Sequence, residues 1–190
     1  MTDGLVLSPG AGRKIRGAGM ILKVGAERSK NWSFFEVDVP PGFDVGAHVH
    51  REAEELFFIL EGELDLLAFE PRVRTKENWR AWESTTSAKV VRGGPGSTMF
   101  VPAGCPHAFT NPGTTPTRML FLVTPPGHEH YLDKIGDLIS RPGPPDQAEI
   151  IKVRLDNDIE QLTPLVPGRG GSPPVQHPSQ HKSKRAPLMT

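Results

Sequence analysis

The sequence predicts an all-β fold, a closed sandwich or barrel followed by a C-terminal helix. Three observations predict it. Nine short segments of aromatic, branched or alternating apolar residues follow one another from Met20 to Thr124, at the close spacing of an antiparallel β domain. Turn-forming runs separate most of them: Pro40-Pro41-Gly42, Glu61-Gly62, Gly93-Gly94-Pro95-Gly96, Pro102 to Pro106 and Asn111-Pro112-Gly113. The apolar period becomes helical only after Pro125-Pro126-Gly127.

Taken in order, residues 1–18 are rich in Gly with scattered basic residues and show neither period, so they form an N-terminal arm or the lead-in to a first strand. Residues 19–140 make the barrel and its helix. Strands are expected over Met20–Val24, Trp32–Val39, Gly46–His50, Leu56–Leu60, Glu63–Phe69, Ala88–Val91, Thr98–Val101, His107–Thr110 and Arg118–Thr124. Leu56–Leu60 is apolar on both faces, which calls for barrel interior on one side and a second layer or a subunit on the other. Between Glu63 and Pro95, the stretch Pro71–Ser87 carries Trp79, Trp82 and several charges without a period. It reads either as a lid bringing aromatic contacts to a pocket or as a surface excursion. Tyr131, Ile135, Leu138 and Ile139 mark one face of a helix stopped before Pro142. Residues 141–166 are a linker in which Asp146 and Glu149 can form a capping box for a short helix. Residues 167–190 hold Pro, Gly, Ser, Gln, basic residues and no acid, the composition of a disordered, solvated tail.

At 190 residues the chain is one functional unit with a real core. Lys plus Arg and Asp plus Glu balance at 22 each, so no overall field draws it to nucleic acid or anionic lipid. Apolar runs such as Met119–Thr124 fall far short of the roughly 20 residues that cross a bilayer. A lone cysteine, Cys105, excludes an internal disulfide, and the N-terminus lacks the apolar run of a secretory signal. A cytoplasmic location is expected.

Two stretches carry chemistry. Gly42 is followed after five residues by His48, then after one by His50, after four by Glu55 and after six by Gly62. Gly96 is followed after five residues by Pro102, then after one by Gly104, after two by His107 and after three by Asn111. Side chains two apart on a strand share a face, so His48 and His50 project together while Ala47 and Val49 point away. A turn over Arg51–Glu54 then reverses the chain. Glu55 opens the next strand, where an antiparallel neighbour is expected to bring its carboxylate to both imidazoles. Pro102 and Gly104 build the turn that aims His107, and Asn111 can tie the following loop to backbone. A lone histidine on a strand is more often packed or solvated than a ligand. Here ten specified residues coincide, with a chance agreement on the order of one in ten billion.

These residues resemble the two motifs of the cupin superfamily, G-x5-H-x-H-x(3,4)-E-x6-G and G-x5-P-x-G-x2-H-x3-N, without gap or substitution. The resemblance implies a double-stranded β-helix of jelly-roll type over roughly residues 20–125, with His48, His50, Glu55 and His107 as metal ligands. A single motif pair is similar to the monocupins, which commonly dimerise, so a homodimer is expected. Three imidazoles and a carboxylate suit Fe, Mn, Ni, Cu or Zn, and ligand identity alone does not choose among them. Phe57 and Ile59, in phase with Glu55, and Phe109, in phase with His107, give an apolar lining suited to an aromatic or polyketide-like chelating substrate. The resemblance further implies a dioxygenase similar to the quercetin 2,3-dioxygenase group, with Glu55 as ligand and, when it moves off the metal, as catalytic base. The alternatives are a non-redox isomerase or cyclase, and a small-molecule-binding barrel without catalysis. Cys105 reads as turn filler. His128 and His130 point to different helix faces, against a second metal site. Trp32 reads as a core or interface residue, and His177 and His181 fall in the tail.

Overall fold

A computed structural model of the chain describes residues 3–16 and 18–168. The tail expected from residue 167, with His177 and His181, lies outside the described residues from 169 onward. In chain order the strands are β1 (Arg13–Ile15), β2 (Met20–Val24), β3 (Ser33–Val39), β4 (His48–Val49), β5 (Glu54–Glu61), β6 (Leu64–Ala68), β7 (Val91–Gly93), β8 (Thr98–Val101), β9 (His107–Thr110) and β10 (Thr117–Thr124). Helices α1 (His128–Ile139) and α2 (Gln147–Leu155) follow, and β11 (Glu160–Gln161) comes last. The strands form two antiparallel sheets, β1-β2-β3-β10-β5-β8 and β11-β4-β9-β6-β7.

Alternation along the strands explains how the sheets face each other. In β10 every second residue is buried: Thr117, Met119, Phe121 and Val123 point inward while Arg118, Leu120 and Leu122 point out. Paired with β3 on one side and β5 on the other, β10 lines up a row of rings. Phe121 stacks on Phe57 at 4.8 Å and on Phe35 at 5.4 Å between centroids. The second sheet contributes Leu64, Leu66 and Phe109 to the same core. Each such side chain taken out of water stabilises the fold by about 1.5–3 kcal/mol.

The outer faces are treated differently. On the smaller sheet, Ala47, Leu67 and Ala108 turn away from the barrel and meet Phe69, Trp79 and Trp82 in a second apolar cluster. Each indole is also satisfied: Trp79 Nε1 donates to Asp44 Oδ1 and Trp82 Nε1 to Thr75 Oγ1, both at 2.8 Å. Of the two readings of Pro71–Ser87, the surface one holds, because its tryptophans cover the outside of the sheet. The larger sheet has no such cover among the described residues. Leu56, Phe58 and Phe100 remain 38%, 37% and 55% exposed.

Helix α1 packs beside β1 at the edge of the larger sheet and meets its inward-facing rings Phe35 and Phe121 through His128, with Leu138 buried and Ile139 exposed. Its first turn is clamped by Glu129, whose carboxylate accepts from Ala26 N at 2.7 Å and Ser33 Oγ at 2.6 Å. Helix α2 is capped by Asp146, which accepts from the Ala148 and Glu149 amides. The Glu149 side chain pairs with Arg141 instead of reaching back to the cap. Beyond α2 the chain turns into β11, which pairs with β4 and so joins the smaller sheet. No helix among the described residues is long and apolar enough to cross a membrane.

Candidate metal centre

Strands β4 and β9 are neighbours, and His48 stands directly opposite His107. His50 follows two residues after His48 on the same inward face, and Glu55 lies on β5 with Phe57 and Ile59. The expected antiparallel neighbour for Glu55 is not found. β5 pairs with β10 and β8 in the other sheet, so the carboxylate reaches the imidazoles across the barrel interior. Period two fixes which face a residue takes; it does not fix which sheet the strand joins after the turn at Arg51–Ala53.

One donor atom from each of His48, His50, Glu55 and His107 lies within 4.8 Å of all the others, and all four residues are buried. Nε2 of His50 is 3.2 Å from Glu55 Oε1, and Nε2 of His107 is 2.8 Å from Glu55 Oε2. These separations are those of an ion pair, yet Nε2 of both rings and Oε2 of Glu55 are buried without an aligned hydrogen bond. Two donors about 2.1 Å from one ion, at right angles, sit about 3.0 Å apart. The other ring nitrogens explain the orientation. His48 Nδ1 faces Gly46 O at 2.9 Å, His50 Nδ1 faces Asp158 O at 2.8 Å, and His107 Nδ1 faces Cys105 O at 3.1 Å. A carbonyl only accepts, so each Nδ1 carries a proton, and in the neutral ring each Nε2 then turns a lone pair toward the shared space. Inward lone pairs with outward N–H groups held by carbonyls are the arrangement a metal-ligating histidine takes. The set suits a divalent metal.

The loops that aim these residues are tied to one another. Gly104, at φ +80°, makes the turn before His107 in a conformation that favours glycine, and its N–H donates to His50 O at 2.7 Å. Asn111 closes the other end of β9: its Nδ2 donates to Val39 O and Thr115 O, and its Oδ1 accepts from Gly113 N, all at 2.9 Å.

Burial and mutual proximity set the charges. Burial, reinforced by the neighbouring His107 and His50, holds His48 well below 6.5, so it is neutral at pH 7. Burial alone would lower His50 as well, but the adjacent Glu55 carboxylate outweighs it and raises the value. Burial opposes ionisation of Glu55, whereas His107 and His50 favour it more strongly, and the carboxyl falls well below 4.5. An anionic carboxylate therefore faces the imidazoles.

Residues that carry no spacing signal complete the wall. His128 on α1 lies 6.2 Å from the His50 ring and edge-on to Phe121 at 5.5 Å between centroids. Burial drives it down to about 4, so it too is neutral at pH 7. Tyr131 sits one turn on, 5.3 Å from His128. Behind the ligands, Phe57 is 6.4 Å from His107 and 5.6 Å from Phe109. His130 is exposed, in keeping with the divergence expected of the pair. Cys105 contributes its carbonyl to His107, its thiol being raised by burial and by Glu70 and absent from the four-residue cluster. Trp32 is half-buried and packs edge-on against Phe34.

Comparison with known proteins places these features in context. A family model described as Cupin matches residues 23–135. No curated protein matches the chain. Among solved structures, a predicted oxalate decarboxylase from Thermotoga maritima is 24% identical, with 55% of this chain and 76% of that one covered and a TM-score of 0.42. The DMSP lyase DddQ from Ruegeria pomeroyi DSS-3 is 27% identical, with 59% and 47% covered and a TM-score of 0.42. The polyketide cyclase RemF from Streptomyces resistomycificus is 21% identical, with 55% and 62% covered and a TM-score of 0.42.

Proposed function

The chain belongs to the cupin family, and from that premise we propose that it is a metal-dependent dioxygenase acting on a small chelating aromatic or polyketide-like substrate. His48, His50, Glu55 and His107 hold the metal in this reading. One observation carries it: buried donor atoms of these four residues, two of them ring nitrogens without a hydrogen-bond partner, converge beside a wall of phenyl rings.

A divalent transition metal bound there supplies Lewis acidity to a chelating hydroxyl or carbonyl and, when redox-active, electron transfer to O2. The protein's own groups do the rest. Glu55 Oε2 has no aligned donor among the described residues, so it can take the proton of an enol or phenol held next to it. The Nδ1 N–H groups of the three imidazoles face backbone carbonyls, which leaves Nε2 of each ring to meet the metal. Phe57, Phe109 and Phe121 exclude water and offer ring faces to a planar substrate. A cytoplasmic location belongs to the same reading and is supported by the single unpaired thiol, Cys105.

Protein purified without oxygen is analysed for metal and then assayed in an oxygen electrode with a catechol, a flavonol and a β-diketone. Metal-dependent O2 uptake with one of these is the expected result. Turnover without O2 would replace the dioxygenase by an isomerase or cyclase, and metal-free protein that binds no added divalent ion would end the reading altogether.

A homodimer is also part of the proposal. Leu122 stands opposite both Phe34 and Leu56, Leu56 opposite Phe100, and Leu120 opposite Phe58, so the outer face of the larger sheet presents contiguous apolar rows. Arg118, Glu36 and Glu61 rim it with both signs of charge. A two-fold axis sets such a patch against itself, like on like at the centre and opposite charges at the rim.

A further inference from the structure

The three imidazoles do not obtain their Nδ1 acceptors in the same way. His48 and His107 each use a carbonyl two residues earlier in their own strand or turn, so those contacts are built locally. His50 reaches Asp158, 108 residues away and beyond the segment that matches the family model, residues 23–135. Asp158 is held there with unusual care. Its two carboxylate oxygens accept from the amides of Arg51 and Glu52 at 2.9–3.0 Å, the residues that immediately follow His50. Its backbone takes φ +59°, in the left-handed region that a non-glycine residue rarely adopts but that Asp and Asn tolerate best. On either side, Asp158 N donates to Leu155 O, Ile159 N to Arg154 O, and β11 then pairs with β4. Farther on, Ala47 N donates to Thr163 Oγ1 at 2.7 Å, and the amides of Leu162 and Thr163 donate to Ala47 O. The chain runs so close here that a Cβ on Gly46 would lie 2.5 Å from Thr163 O.

We infer that Asp158 is a positioning residue for the metal centre: its side chain grips the turn after His50 so that its carbonyl fixes the tautomer and ring angle of that ligand. The inference rests on the metal reading above and deepens it, because it makes the segment from α2 to β11 a working part of the site. Docking of that segment and metal binding then favour each other, since each is tighter when the other is in place. Loss of such an outer partner typically weakens metal binding by about 10- to 100-fold.

The test titrates Co(II) into the full-length protein, followed by its visible d–d absorption, for wild type, Asp158→Ala, Asp158→Asn and, as a control for loosening the segment elsewhere, Asp146→Ala. Expected are an affinity loss of about 10-fold or more and an altered d–d spectrum for Asp158→Ala, substantial rescue of both by Asn, and a wild-type spectrum for Asp146→Ala. An unchanged affinity and spectrum in a less stable Asp158→Ala protein would overturn the positioning role while leaving the metal reading intact. Wild-type protein that takes up no Co(II) overturns both. Should Asp158→Ala not fold, hydrogen exchange on wild type decides: Co(II) slows exchange of the amides from Asp156 to Thr163, and exchange there that ignores Co(II) refutes the coupling.

Discussion

Asn111 fastens the loop after His107 with a single amide group. It is 1% exposed, and its Nδ2 serves two carbonyls, the buried Val39 O and Thr115 O on an exposed loop residue. Asn111→Ala removes both contacts and the acceptor of Gly113 N, which costs about 1–3 kcal/mol; a thermal or urea melt of the metal-free protein measures it. The ligand pair behaves differently. His48→Ala with His50→Ala abolishes metal content, read by elemental analysis of the purified protein, and leaves a cooperative melt, because the core built by Phe35, Ile59, Leu64 and Met119 does not include either imidazole. At this scale the sequence disclosed the four-residue cluster and the loop-tying role of Asn111, since donor side chains at fixed spacing leave a visible signature. Asp158 left none: it acts on His50 through a main-chain carbonyl, which any residue type possesses.

Among the elements, α1 depends on a carboxylate that no spacing rule picks out. Burial would raise Glu129, but hydrogen bonds from Ser33 and Ala26 overcome it and hold the group below its ordinary 4.5. With the folded value lower than the unfolded one, the stabilisation is complete above pH 4.5 and is lost as the pH falls through the folded value. Glu129→Gln should therefore cost about 1–3 kcal/mol at pH 7, and the gap between the two proteins in denaturant melts should shrink as the pH drops below 4.5. Strands bounded by strong turn residues, Thr98–Val101 and His107–Thr110, were readable to the residue. β1 and β11 were not. Arg13-Lys14-Ile15 and Glu160-Gln161 are short and mostly polar, and they are strands only because β2 and β4 offer them an edge.

For the molecule as a whole, the uncovered face of the larger sheet is the main unfinished surface. Phe58 lies in its middle, outward on β5 and opposite Leu120 and Thr98. Light scattering coupled to size exclusion should give twice the chain mass for wild type and the single-chain mass for Phe58→Lys, with metal content equal in both; a monomeric wild type would remove the dimer from the proposal. Composition and period disclosed that two faces of Leu56–Leu60 are apolar, yet not that the described residues cover only one of them, because the covering tryptophans went to the opposite sheet. The same limit hid the crossing between His50 and Glu55. That crossing gives the barrel a property no single-sheet site has. With three nitrogens on one wall and the oxygen on the other, the gap offered to an ion depends on the spacing of the walls, which the rings packed between them help to set. Trimming or enlarging rings such as Phe57 would thus retune the preferred ionic radius from a position that never touches the ion.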